Sequence, residues 1–187
     1  MPNTLLRTVA FEGTEIAVLA DCHIHEGGPQ FPTALFDKLA GVDLIVTLGD
    51  MGEASGLDQL AAIAPVVGVR GQDDSDDPRT EARFLALRNE RYDLGCVFDA
   101  KAAGLARSSD PFVAAQQGAD VSRRLFGAYV DVLLHASTHK PDEAQFGPRG
   151  SALNPGSAVL PVEGAKPSFL LLKVTAEGCF GRIVHLD

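Results

Sequence analysis

Glu15-Ile-Ala-Val-Leu-Ala-Asp-Cys-His-Ile-His25 is the stretch on which the reading of this chain turns. An apolar run from Ile16 to Ala20 breaks off at Asp21, and His23 and His25 follow at alternate positions. A continuous apolar run bounded by polar residues reads as a strand buried on both faces. Asp21 and His23 then stand where strand gives way to loop, and two residues apart they point the same way. The end of a rigid strand is a good place to hold metal ligands or catalytic groups. An N-cap aspartate followed by a surface histidine would give the same letters, so the weight falls on whether the pattern recurs.

It recurs three times. Asp43 to Leu48 is a second buried strand running into Gly49-Asp50, and Pro65 to Val69 a third, running into Arg70-Gly71-Gln72-Asp73-Asp74. Val130 to Leu134 is a fourth, leading into His135-Ala-Ser-Thr-His-Lys-Pro141. Between them, a helix beginning near Pro32 carries Leu35, Phe36 and Leu39 on one face and closes at Gly41. A second, from Ser55 to Ile63, turns Leu57, Leu60 and Ala61 inward. Thr8 to Phe11 reads as a short strand, Phe84 to Ala103 as two strands around Asp93 to Gly95, and Asp110-Pro111 as the N-cap and first turn of a helix reaching about Leu125. Asn154 to Ser157 reads as a turn, and Phe169 to Leu186 as a hairpin around Glu177-Gly178 that leaves His185 facing solvent. Strands alternating with short helices predict an α/β layered fold, with its site beyond the carboxyl ends of the strands. Without repeats, low-complexity tracts or a linker, residues 1–187 are expected to form a single domain.

At 187 residues, 45 % hydrophobic and 22 % charged, the chain has the composition of an ordinary globular protein. Its net charge of −9 argues against long nucleic acids as partners, because phosphate backbones are held by clustered Lys and Arg. An acidic protein that works on phosphates needs a local cation to offset its own field. Cys22, Cys96 and Cys179 are odd in number and far apart, which suits reduced thiols rather than a disulfide framework or a zinc ribbon. With no membrane-length apolar segment, and no signal-peptide core in Met1 to Thr8, the expected location is the cytoplasm, away from membranes. Two carboxylates and two or three imidazoles at strand ends suit a borderline divalent ion such as Mn, Fe, Zn or Co.

Asp21-Cys22-His23, then Gly49-Asp50, then Gly71-Gln72-Asp73-Asp74, then Asp131-Val-Leu-Leu-His-Ala-Ser-Thr-His-Lys-Pro141 and Asn154-Pro-Gly-Ser157 resemble, in that order, the calcineurin-like metallophosphoesterases. The small phosphodiesterase branch is the nearest in chain size. The resemblance runs from about Ile16 onward, and is weak between Asp77 and Gly127. It implies a two-sheet αββα sandwich of the metallo-dependent phosphatase type, and hydrolysis of a small phosphodiester or phosphomonoester.

The family holds two metals, and the resemblance implies one of its half-sites intact here: Asp21, His23, Asp50 and His139, with Asp50 the bridging carboxylate. The other is largely dismantled. Gln72 stands for its Asn and Ser137 for one His, while the lone His expected near Lys101 to Gly104 is missing, since no His lies between His25 and His135. One tightly held ion is therefore expected, with Gln72 a weak ligand through its carbonyl oxygen and Asp73, Asp74 or His135 as substitutes. In some family enzymes a His beside the Asn protonates the leaving group. Its counterpart here is Asp73, able to act as the acid only if its pKa is raised. The substrate's identity would be set by the loops Gly27 to Phe31 and Pro78 to Ser109, which carry no diagnostic residues.

The plainer readings are these. His25 is a loop residue, His135 packs in the core or behind the ligands, and Ser137 is a vestige. Asp-x-His-x-His after a strand also opens amidohydrolase-type barrels, but a barrel needs roughly 250 residues. The rival in a different class is a scaffold that has lost catalysis and binds a protein partner, as one retromer subunit of the superfamily does.

Overall fold

Ile16 and Val18 face one way, Ala17 and Leu19 the other, and all four are fully buried. A strand in that position has a packed layer on each side. The structure, a computed structural model, describes residues 6–105, 110–146 and 150–186. β1 (Leu6–Ala10) and β2 (Glu15–Leu19) precede α1 (Thr33–Leu39), and β3 (Leu44–Thr47), α2 (Ala54–Ala61) and β4 (Val66–Gly68) follow in alternation. β5 (Phe84–Arg88) and β6 (Asp93–Val97) pair antiparallel, and α3 (Pro111–Phe126) leads into β7 (Val132–Leu134). Two further antiparallel pairs complete the order: β8 (Pro141–Phe146) with β9 (Gly150–Pro155), and β10 (Ser168–Val174) with β11 (Cys179–His185).

The strands form two sheets, in the orders β11-β10-β2-β3-β4 and β1-β5-β6-β7-β9-β8. Ile16, Val18, Val46 and Leu170 of the first meet Leu85, Leu94, Leu134 and Leu153 of the second in the central core. Leu35 and Leu39 of α1 and Leu57 and Leu60 of α2 cover the outer face of the five-stranded sheet. Val121 and Phe126 of α3 cover the outer face of the other. This is the expected αββα sandwich, and it excludes the closed barrel. Asp110 caps α3 by accepting from the backbone N–H groups of Phe112 and Val113, and Gly127, at φ 72°, ends it.

Three local readings need correction. Ala61 is exposed, so the buried stripe of α2 is Leu57 and Leu60 with Gly56. Asp93 to Gly95 lie inside β6, and the turn before them is built by Asn89, whose side-chain oxygen accepts from Arg91 and Tyr92. β8 and β9 lie where only a turn is read. β8 sits at a sheet edge with Phe146 its one buried residue, so it carries little apolar pattern to read.

Candidate metal centre

The parallel strands β2, β3 and β4 end side by side, with β7 of the other sheet ending nearby. Backbone hydrogen bonds from Asp21 to Gly49 and from His23 to Asp50 stitch the first two loops together. The Asp50 carboxylate holds the third: its Oδ1 accepts from the backbone N–H groups of Gln72 (2.6 Å) and Asp73 (2.9 Å). The fourth closes on Asp21, whose Oδ1 accepts from Ser137 N–H (3.3 Å) and Oδ2 from His139 N–H (3.2 Å).

The backbone here is strained. Asp21 (φ 52°), His23 (48°), Asp50 (50°), Ser137 (70°) and His139 (55°) are the described non-glycine residues with positive φ. Each such residue costs roughly 1–3 kcal/mol and persists only where its surroundings impose it, as functional sites do. All four residues of the expected ligand set are among the five.

Hydrogen-bond partners fix the orientation of both imidazoles. His139 Nδ1 lies 2.6 Å from the carbonyl oxygen of Leu160, which can only accept, so Nδ1 carries the proton and Nε2 is left with its lone pair. His23 Nδ1 is likewise held, 2.6 Å from Asp73 Oδ2. Its Nε2 stands 3.9 Å from Asp50 Oδ2, too far for a hydrogen bond but near enough for one ion about 2.1 Å from each. The His23 and His139 rings stack with centroids 5.2 Å apart and planes at 11°. Burial pushes the Asp21 carboxyl up to about 6, against the opposing pull of His139, and nearby Asp50 adds to the rise. Of Asp21, His23, Asp50 and His139, the His23–Asp50 pair is spaced to share an ion, and no three of the four bring ligand atoms within 4.8 Å of one another.

Among the described residues, the trio whose ligand atoms lie within 4.8 Å of one another is His23, His25 and Asp73. Of the expected half-site only His23 belongs to it, with Asp73, one of the three expected substitutes, and His25, read as a bystander, which lies 2.8 Å from Asp73. The hydrogen bonds from His23 and His25 hold the Asp73 carboxyl below the usual carboxylate range, the opposite of what a proton donor requires. Asp73 is placed to orient His23. Gln72 is exposed and reaches the site through its backbone N–H to Asp50. Asp74 is no substitute ligand, since its oxygens accept from the backbone N–H groups of Asp50, Met51, Gly52 and Gly71, clamping two loops together. His135 Nδ1 faces the Asn154 amide at 3.5 Å, behind the ligands. Ser157, in the turn after β9, donates its hydroxyl to the Asp21 carbonyl and accepts from Val159 and Leu160. Only its place in the family-like Asn154-Pro-Gly-Ser157 turn hinted at that support. Of the loop Pro78 to Ser109, residues 106–109 lie outside the described residues.

Comparison with known sequences assigns residues 15–177 to the family described as the calcineurin-like phosphoesterase superfamily domain. The chain belongs to the calcineurin-like phosphoesterase superfamily. Within it, the chain is 32 % identical over 150 residues to a probable metallophosphoesterase of Methanocaldococcus jannaschii, spanning 78 % of this chain and 69 % of that one. It is 26 % identical over 170 residues to another from Methanothermobacter thermautotrophicus, spanning 91 % of each. The fold is shared with Vps29 of Entamoeba histolytica complexed with zinc, at a TM-score of 0.67 and 20 % identity, covering 92 % of this chain and 99 % of that one. A predicted phosphoesterase of Streptococcus pneumoniae shares it at 0.59 and 17 % identity, covering 94 % and 91 %. Among the described residues no helix is long and apolar enough to cross a membrane.

Proposed function

We propose that this protein is a metal-dependent phosphoesterase that hydrolyses a small phosphodiester or phosphomonoester in the cytoplasm. It would hold one divalent ion, Mn, Fe, Zn or Co, on Asp21, His23, Asp50 and His139. The observation that carries the reading is the left-handed backbone at all four residues, strain that a metal-free scaffold has no reason to keep. Such an ion supplies a Lewis acid for the phosphoryl oxygen and lowers the pKa of a water molecule beside it. Asp21 and Asp50 provide the negative charge that retains the ion, His23 and His139 its neutral nitrogen ligands. Asp73 and the Leu160 carbonyl keep those imidazoles in the tautomer that presents Nε2. With one ion rather than two, turnover is expected to be slow.

The test is an assay on an aryl phosphodiester and an aryl monoester with Mn added, run beside Asp50→Asn. An asparagine oxygen can still accept from Gln72 and Asp73, so the loop should survive while the charge goes. Activity should fall below detection in the variant. Turnover that persists there would belong to another site.

The scaffold reading has one observation in its favour: a Vps29 of Chaetomium thermophilum with this fold was solved in complex with a cyclic peptide. No turnover and no bound metal, even with Mn supplied, would move the assignment to it.

A further inference from the structure

Ser137 belongs to two places at once. Its backbone N–H holds the Asp21 carboxylate, and the same residue lines a cavity of about 630 Å³. That volume lies in the range that takes small organic ligands, roughly 300–1,000 Å³. The walls are mostly apolar: Ala100, Leu105, Ala136, Ala144, Ala152 and Val162. The charged residues along it are balanced, Lys101 and Lys140 against Asp99 and Asp142, with His135, Ser137 and Thr138 the other polar side chains, and the Asp99 carboxylate also accepts from the backbone of Ala102. An apolar chamber with no net charge gives a phosphoryl group no reason to enter. It suits an uncharged organic group attached to one.

We infer that this cavity is the subsite for the ester arm of the substrate, and that the arm is apolar, an alkyl or aryl group, with the phosphoryl end on the Asp21–His139 side of Ser137. The inference rests on the phosphoesterase reading for where the phosphoryl group sits, but the cavity itself is independent of catalysis. Polar partners for a sugar's hydroxyls are confined to His135, Ser137, Thr138 and the four charged side chains, whereas each methylene of an alkyl arm buried against the apolar walls is favourable.

Calorimetric titration of the Mn-loaded protein with methylphosphonate and with hexylphosphonate tests this without any turnover. The two probes differ by five methylenes, so hexylphosphonate should bind at least about tenfold more tightly. Ala144→Phe, which fills the chamber, should remove most of that preference and leave methylphosphonate affinity unchanged. Val162→Ser, at the exposed rim, should reduce the preference by roughly half and carries the test if Ala144→Phe no longer unfolds cooperatively. Equal affinities in the wild type, binding of neither probe, or a preference undiminished in both variants would overturn the inference. If methylphosphonate fails to bind while hexylphosphonate binds and Ala144→Phe weakens it, the subsite stands and the phosphoesterase reading falls.

Discussion

Asp73 shows how much a single carboxylate can do without touching substrate. It is the shared acceptor of two imidazoles, and in the proposed metal site the one that matters is His23, whose Nδ1 it holds at 2.6 Å. Removing such a carboxylate behind a ligating histidine typically costs 10–100-fold in metal affinity. Asp73→Asn should therefore weaken Mn binding by about that factor in calorimetry, with thermal unfolding of the chelated protein little changed. An affinity within twofold of the wild type would show that His23 is oriented by something else. From the letters Gly71-Gln72-Asp73-Asp74 the natural roles for Asp73 and Asp74 are acid or ligand. Their actual roles depend on which backbone N–H groups and ring nitrogens come within 3 Å, a tertiary fact that no local spacing encodes.

Among the elements, the third loop is packed hard against the second. A methyl group on Gly71 would run into the backbone nitrogen and the Oδ1 of Asp50, and one on Gly49, at φ 99°, would lie 2.7 Å from Gly71 N and from the Phe98 ring. These glycines let β3 and β4 end close enough for one carboxylate to bridge their loops. Gly71→Ala should displace Asp50, reducing Mn affinity at least about tenfold and destabilising the fold by ~2 kcal/mol, within the usual cost of overpacking. Isotope-monitored metal binding and a thermal melt would show both, and an unchanged affinity would mean that the Asp50 contact is not what sets the site. The elements that position these loops were largely legible beforehand, because β2, β3 and β7 are buried on both faces and so leave continuous apolar runs. β8 lay open to solvent at an edge and left none.

At the scale of the whole molecule the buried Asp21 is a source of instability that the proposed ion would relieve. Without metal, Asp21 is buried and its carboxyl is pushed up to about 6, whereas in the unfolded chain it titrates near 3.8. Between those values the folded chain holds a proton that the unfolded chain has lost, so stability falls as pH rises, and above about 6 the penalty levels off near ~3 kcal/mol. His25, raised by its bond to Asp73, acts in the same direction: its contribution is complete at low pH and lost as pH rises through its folded value. Asp73 opposes them only below the usual carboxylate range. The chelated protein should thus melt several degrees higher at pH 5 than at pH 7.5, and the Mn-loaded protein should show the reverse, because the ion needs Asp21 deprotonated. Melting curves of equal midpoint at both pH values would rule out a destabilising Asp21. The contact between Asp21 and His139 also joins residues 118 positions apart, one after a strand of each sheet. During folding, Asp21, His23 and Asp50 can be gathered by the first sheet alone, but the fourth ligand arrives only when the second sheet docks. If the four are the ligands proposed above, the rate at which a refolding chain captures Mn would measure how fast the two sheets find each other.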